Sequence, residues 1–169
     1  MEIETKKVVK KVAAHGILNS MKLEISALGE NESFARTVVA AFAAQLNPTL
    51  EEINDLKTAV SEAVTNCVVH AYSAKSVKAL MNKSAIGSVP GKILIECVLF
   101  QNRTISVSVT DFGIGIANIQ KALEPFFTSK PEQERSGMGF TVMQSFMDSL
   151  KVVNGADCGT IVEMTKIFG

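Results

Sequence analysis

One segment decides the fold, and at its centre lie Ser61-Glu62-Ala63-Val64-Thr65-Asn66-Cys67-Val68-Val69-His70. Apolar residues recur there with the 3.6-residue period of an α-helix, which predicts a core-facing stripe of Ile53, Leu56, Val60, Val64, Cys67 and Ala71. Glu62 and Asn66 lie one turn apart on the opposite side, with His70 beyond them. Their oxygens suit a hard cation such as Mg²⁺, and a carboxylate also accepts protons. A solvated outer face would explain the same residues, and a structural role is the better interpretation for His70.

Two glycine-rich segments downstream favour a nucleotide site. The first, Asp111-Phe112-Gly113-Ile114-Gly115, follows a β-rich run, and its aspartate can accept a hydrogen bond from the exocyclic amine of adenine. Its glycines allow a ligand ring to approach the backbone. The second, Gly137-Met138-Gly139, opens a helical pattern, and a helix N-terminus favours phosphate. Arg135 stands beside it and can make a bidentate phosphate contact.

The motifs of two other nucleotide-binding classes are missing. Asp111-Phe112-Gly113 matches a protein-kinase signature, but the Val-Ala-Ile-Lys strand and the His-Arg-Asp loop are absent. No Gly-x-x-x-x-Gly-Lys-Ser/Thr segment occurs, which excludes a P-loop. The order of the Glu62/Asn66 helix and the two glycine segments is therefore the main evidence for nucleotide binding.

The remaining periodicities predict the order β-α-α-β-β-loop-α-β-β. Asn31 is expected to cap a first helix running to about Leu46, with an inner side of Phe34, Val38, Ala41, Phe42 and Gln45. Thr49 and Glu52 form a capping-box pattern that opens the long helix, which should end near Ala71 or Tyr72. The other expected elements are a strand from Met21, a hairpin of 92–100 and 104–110, a loop of 113–138, a helix of 139–149 and a hairpin of 152–153 and 159–167. This order predicts an α/β (α+β) two-layer sandwich, with helices on one face of a mixed, mostly antiparallel sheet.

Length and composition predict a single domain. With 169 residues, the chain has room for one sizeable core, which we assign to residues 21–169, with an insertion at about 73–91. Residues 1–20 are expected to form a loosely ordered extension. The formal net charge is zero and no apolar run could cross a bilayer, so we expect neither direct nucleic-acid binding nor a membrane span. Three cysteines without CxxC spacing favour free thiols in a reducing cytoplasm.

The motifs carry a resemblance to a known superfamily. Glu62-x-x-x-Asn66, Asp111-x-Gly113-x-Gly115 and Gly137-x-Gly139 resemble the N, G1 and G2 boxes of the Bergerat-fold ATPases, which include gyrase B, Hsp90, sensor histidine kinases and MutL. Within that superfamily, residues 31–36, 61–66 and 128–140 resemble the sporulation anti-sigma F factors, serine protein kinases of spore-forming bacteria. The resemblance extends from Met21 to about Lys166.

The resemblance implies a role for each matching residue. Asn66 would coordinate Mg²⁺, Glu62 would be the general base, and Asp111 would bind the adenine amino group of ATP. The remaining nucleotide-binding positions would be Gly113, Gly115 and Thr160 around adenine, and Arg135, Gly137, Met138 and Gly139 around the phosphates.

The resemblance also implies partners. A homodimer would bind and inhibit a sigma factor of the F type in an ATP-dependent way and would phosphorylate its anti-anti-sigma antagonist on serine. Arg36 lies on the outer side of the first expected helix, close to small alanines, and an arginine on a smooth face suits a partner site. Plain solvent exposure explains Arg36 equally well from the sequence, and the resemblance favours partner binding.

Two other functions remain open. A nucleotide-gated module could sequester its partner without kinase turnover. A detached histidine-kinase catalytic domain would need a phosphoacceptor, and His15 and His70 are the only histidines in the chain.

Overall fold

The computed structural model describes residues 16–72, 91–125, 137–156 and 159–169. In these residues the order of elements is β1 (Ile17–Ser26), α1 (Glu30–Ala43), α2 (Leu50–Asn66), β2 (Lys92–Phe100), β3 (Thr104–Asp111), α3 (Ile119–Ala122), α4 (Gly139–Phe146), β4 (Ser149–Asn154) and β5 (Thr160–Ile167). The predicted order is confirmed, with the four-residue α3 added inside the expected loop. The expected insertion at 73–91 lies, except for Gly91, outside the described residues.

The strands form one sheet in the order β1-β2-β3-β5-β4, and its four described pairings are all antiparallel. The two-layer α+β architecture is thus confirmed. The predicted sheet was mixed and mostly antiparallel, whereas the described strand pairs are all antiparallel. Alternate residues of β2 are fully buried beneath the helices: Ile93, Ile95, Cys97 and Leu99. This alternation places the core between one face of the sheet and the helices.

Helix α2 begins as its sequence predicts. The Thr49 hydroxyl accepts from the Glu52 amide, and the Glu52 carboxylate accepts from the Thr49 amide, which completes a capping box. The core-facing stripe is confirmed, since Leu56, Val60 and Val64 are fully buried. Beyond Asn66 the helix continues as a π-helical turn, Cys67–Ala71, so its end falls where the sequence places it. Turns of this kind are frequent at functional sites.

The first helix differs from the prediction in its start and its orientation. Gly29 occupies the N-cap position, while the Asn31 side-chain amide donates to the Ser26 carbonyl at 2.8 Å instead of capping the helix. The buried residues of α1 are Ala35, Val39 and Ala43, whereas Phe34 is 50% exposed. The predicted inner side was therefore wrong at Phe34, Ala41 and Gln45, which are exposed, whereas Phe42 is half-buried and packs against the core. The small alanines pack inward, and the bulky Phe34 is displaced to the surface.

Two further boundaries differ from the sequence prediction. Strand β1 begins at Ile17, and Ile17, Asn19 and Ser20 pair with β2 in the sheet, so this segment does not belong to a loose extension. Residues 1–15 lie outside the described part of the chain. Helix α4 ends at Phe146 and β4 begins at Ser149, earlier than expected, because Ser149 and Leu150 already pair with β5.

A buried lysine fixes the C-terminal end of α4. Lys166, on β5, is 8% exposed and donates to the Phe146 carbonyl at 2.7 Å and to Asp55 on α2 at 3.1 Å. A cation at a helix C-terminus pairs with carbonyls that lack partners within the helix. Lys166 thus joins α4 to both α2 and the sheet.

No helix in the described ranges has the length and apolar character that a membrane span requires. Cys67 and Cys97 are free and buried, as the cysteine pattern predicts, and Cys158 falls outside those ranges.

Candidate nucleotide-binding site

The structure brings the Glu62/Asn66 pair to the N-terminus of α4. A side chain at Gly139 would place its Cβ 3.0 Å from Glu62 Oε2 and 3.4 Å from Asn66 Nδ2. Glu62 and Asn66 are half-buried, so the solvated outer face considered from the sequence does not describe them. Gly137 has a positive φ of 68°, and Met138 occupies the N-cap of α4. A carboxylate, an amide and a helix N-terminus therefore meet in one place.

Asp111 lies at the end of β3 and is almost fully buried, at 4% exposure. Its Oδ1 accepts from the Gly113 amide at 2.9 Å. Its carboxylate also accepts from the backbone and the hydroxyl of Thr160, and it lies beside Cys67, whose thiol donates to the Ala63 carbonyl at 3.2 Å. Thr160 therefore contacts the aspartate that the sequence assigns to adenine.

Burial raises the pKa of Asp111, because desolvation disfavours the charged carboxylate, and the hydrogen bonds from Gly113 and Thr160 offset only part of this effect. Burial also raises the pKa of the Cys67 thiol, and the neighbouring Asp111 charge raises it further. Cys67 is therefore a neutral thiol beside the carboxylate. An acidic group kept in an apolar pocket is typical of a functional site.

Glycines allow other backbone segments to approach Asp111 closely. A Cβ at Gly113 would lie 2.3 Å from the Ala71 carbonyl oxygen, so α2 packs directly onto the segment after β3. Gly159 has a φ of +86°, and a Cβ there would lie 2.0 Å from the Asp111 carbonyl oxygen. Gly115 also has a positive φ, of 71°. Any larger residue at Gly113 or Gly159 would push the Asp111 segment out of place.

The structure groups the predicted residues into two clusters. Glu62, Asn66, Gly137, Met138 and Gly139 form the first, at the N-terminus of α4. Asp111, Gly113, Gly115 and Thr160 form the second, at the end of β3. Arg135 lies outside the described residues.

Arg36 belongs to neither cluster. Its guanidinium lies 3.4 Å from Glu32 and 3.5 Å from the Ser61 hydroxyl, and its side chain is 42% exposed. It therefore leans against α2, one residue before Glu62, instead of standing free on the outer side of α1 as expected.

Sequence reasoning missed several residues that shape the second cluster. Cys67 was assigned to the core stripe alone, yet its thiol contacts Asp111. Tyr72 and Asn154 hydrogen-bond to the backbone on either side of Gly113, and Gly159 packs on Asp111. The Asn154-Gly155 pair gave only a turn signal, and nothing in the linear pattern connects these residues to Asp111.

Comparison with known proteins agrees with this geometry. Residues 25–166 match the family of the histidine kinase-like ATPase domain. The chain is 52% identical over 151 residues to the anti-sigma F factor of Caldanaerobacter subterraneus subsp. tengcongensis, covering 89% of this chain and 95% of that protein. It is 49% identical over 150 residues to the anti-sigma F factor of Clostridium acetobutylicum, covering 89% and 94%.

A solved structure extends the likeness to the fold. The crystal structure of RsbU and RsbW domains from Mycobacterium tuberculosis superposes with a TM-score of 0.60, covering 89% of this chain and 32% of that one, at 17% sequence identity. At this identity the likeness concerns the fold alone. The family is shown by the match over residues 25–166 and by the identity to the two relatives. The chain belongs to the histidine kinase-like ATPase domain family and, within it, to the anti-sigma F factors.

Proposed function

We propose that this protein is an ATP-dependent anti-sigma factor and protein serine kinase. In its ATP-bound form it binds and inhibits a sporulation sigma factor, and it phosphorylates the anti-anti-sigma antagonist on serine. The observation that carries the kinase half is the approach of Glu62 and Asn66 to Gly139 at the N-terminus of α4. The names of the 49–52% identical relatives support the anti-sigma half.

Adenine binds at the second cluster and the phosphates at the first. The buried carboxylate of Asp111 accepts from the adenine amino group, while Gly113 and Gly115 let Ala71 and Asn154 pack closely against the segment that carries this aspartate. The N-terminus of α4 faces the phosphates, and Arg135 would add a cationic contact to them. Positioning and charge neutralisation supply most of the catalysis in phosphoryl transfer.

The donor set fits a magnesium ion held jointly with the nucleotide. Asn66 offers one amide oxygen, and Mg²⁺ in such sites takes one or two protein oxygens and completes its shell with phosphates and water. Among the described residues no group of three His, Cys, Asp or Glu side chains could hold a metal alone, which agrees with an ion that arrives with ATP. When bound, Mg²⁺ would neutralise phosphate charge. Glu62 would take the proton from the incoming serine hydroxyl.

Partner binding is assigned to the surface around Arg36. A cavity of about 220 Å³ adjoins it and is lined by Gly29, Glu32, Thr65, Val68 and Val69. Glu32 bonds both Arg36 and Ser61, and Thr65 directly precedes Asn66. This short path from the surface to the phosphate cluster supports a partner affinity that depends on the nucleotide.

Replacing Arg36 with alanine is expected to weaken partner capture by about 30-fold, the effect of losing one interface anchor. ATP affinity should stay unchanged, since Arg36 contacts neither nucleotide cluster. Calorimetric titration with ATP and capture of the partner on immobilised protein measure the two effects separately. Lys22→Ala is the matched control, because it also removes a cation from a surface ion pair, here with Glu96. Undiminished capture by Arg36→Ala would contradict the assignment.

The whole proposal is tested by capture from a lysate of sporulating cells, once with Mg·ATP and once with Mg·ADP, followed by mass spectrometry. We expect a sigma factor to be retained with ATP, together with a small protein that carries phosphoserine. Capture without phosphoserine would favour the alternative function, a nucleotide-gated sequestering module. Phosphohistidine on this chain would instead support the histidine-kinase alternative.

Oligomeric state and location complete the proposal. The protein would act as a homodimer in the cytoplasm, where sigma factors work, and light scattering of the purified protein would measure the dimer directly. A monomer at all concentrations would remove the homodimer from the proposal and leave the kinase site intact.

A further inference from the structure

The segment Asp111–Ile116, here called the adenine loop, carries the aspartate and both glycines of the second cluster. It begins where β3 separates from β2, since Ile93 and Asp111 form the last pair of that ladder. Within the described residues, the ladder between β2 and β3 ends at this pair. Past this point two side chains from elsewhere in the chain hydrogen-bond to the backbone of the adenine loop, one near each end.

Tyr72 holds the first end of the adenine loop. Its hydroxyl accepts from the Phe112 amide at 2.6 Å and donates to the Lys92 carbonyl at 2.6 Å, so it bridges the two strands where they part. Its ring lies against Gly91, where a Cβ would be only 2.4 Å away. Tyr72 follows the π-helical turn directly, so the same hydroxyl also joins the end of α2 to the adenine loop.

Asn154 holds the second end. Its Oδ1 accepts from the Ile116 amide at 2.8 Å, and its Nδ2 donates to the Ile116 carbonyl at 2.9 Å. One side-chain amide thus satisfies both backbone groups of a residue, as a neighbouring strand would. Gly115 makes room for this contact, because a Cβ there would lie 3.0 Å from Asn154 Oδ1.

We propose that Tyr72 and Asn154 are positioning residues that fix the adenine loop at both ends and hold Asp111 ready to receive adenine. The inference rests on the proposed nucleotide site and adds to it two residues from distant parts of the chain. A loop released at either end would have to be ordered on binding, and that entropy would be subtracted from the affinity for the base. The phosphate cluster, built on α2 and α4, would not be affected.

Three variants test the proposal. Tyr72→Phe removes the hydroxyl and keeps the ring against Gly91, Asn154→Ala removes both bonds to Ile116, and Asn154→Asp keeps the acceptor and loses the donor. Asn54→Ala is the matched control, an exposed asparagine on α2. Calorimetric titration measures the affinity of each protein for Mg·ATP and for inorganic tripolyphosphate, which has no base. Thermal unfolding checks that each variant is folded.

We expect Tyr72→Phe and Asn154→Ala each to lower ATP affinity by about tenfold, with a smaller loss for Asn154→Asp and none for Asn54→Ala. Tripolyphosphate affinity should remain unchanged in all of them, and in a kinase assay KM for ATP should rise with kcat retained. Equal losses for both ligands, or no loss for ATP, would overturn the positioning role. If the native protein binds tripolyphosphate as tightly as Mg·ATP, the base contributes no affinity. That result would overturn the proposed adenine site, and the inference with it.

Discussion

Glu62→Gln is expected to lower the rate of phosphoryl transfer to the partner serine by about 10²–10⁴-fold, the range that a well-placed general base contributes. Glutamine keeps the size of the side chain and its position next to Gly139, but it cannot take the proton from the serine hydroxyl. ATP binding should change little, because Asp111 and the adenine loop lie at the other cluster. ATP-dependent capture of the sigma factor should also persist.

The measurement is single-turnover transfer of labelled phosphate from ATP to the purified antagonist. Glu51→Gln is the control, since Glu51 is an exposed carboxylate in the first turn of the same helix. Full activity in Glu62→Gln would show that the base lies elsewhere. If the native protein also transfers nothing while it still captures its partner, the chain is a sequestering module.

Asp111→Asn is expected to weaken ATP binding by about 10–100-fold without lowering the stability of the fold. The affinity falls because the charged acceptor for the adenine amino group is lost, and a hydrogen bond to a charged group contributes about 1.5–3 kcal/mol. The stability of the folded protein is not expected to fall with the ATP affinity in this variant. Since burial raises the pKa of Asp111 in the folded protein, ionisation of this carboxylate at neutral pH opposes folding, and a neutral amide removes that cost.

The pH dependence separates these two effects. A raised pKa means that the stability linked to protonated Asp111 is present at low pH and is lost as the pH rises through the folded-state value. ATP affinity should instead fall on acidification, because protonation removes the charged acceptor. This fall should occur at a higher pH than the protonation of an exposed carboxyl group, since the pKa of Asp111 is raised. Calorimetric titration and thermal unfolding between neutral and mildly acidic pH measure both quantities. In the Asp111→Asn variant, ATP affinity should not respond to this acidification. If the ATP affinity of the native protein were equally insensitive, the assignment of adenine to Asp111 would be contradicted.

Several elements of the fold could be predicted because their signals are local. The capping box at Thr49 and Glu52 lies within a single helical turn, and the buried stripe of α2 repeats with the helical period. The hairpin of β2 and β3 was placed within a residue of its ends, since alternating apolar residues flank a short polar turn.

Other features could not be predicted because they depend on which surfaces meet. The inner side of α1 follows from close packing of small residues, so Ala35 and Val39 face the core while the larger Phe34 does not. The early start of β1 at Ile17 depends on a pairing partner in β2, about 80 residues later in the chain. Neither effect leaves a trace in the local pattern.

The same division holds for the candidate site. The sequence alone determined which residue types are available for the site. It places a carboxylate and an amide one helical turn apart, and an aspartate before two glycines. The covalent order of the residues fixes these spacings. Only the tertiary structure decided that Gly139 lies against Glu62, that Thr160 and Cys67 contact Asp111, and that Tyr72 and Asn154 hold the adenine loop. These contacts join residues far apart in the chain, and the antiparallel sheet register and the packing of α2 on α4 bring them together.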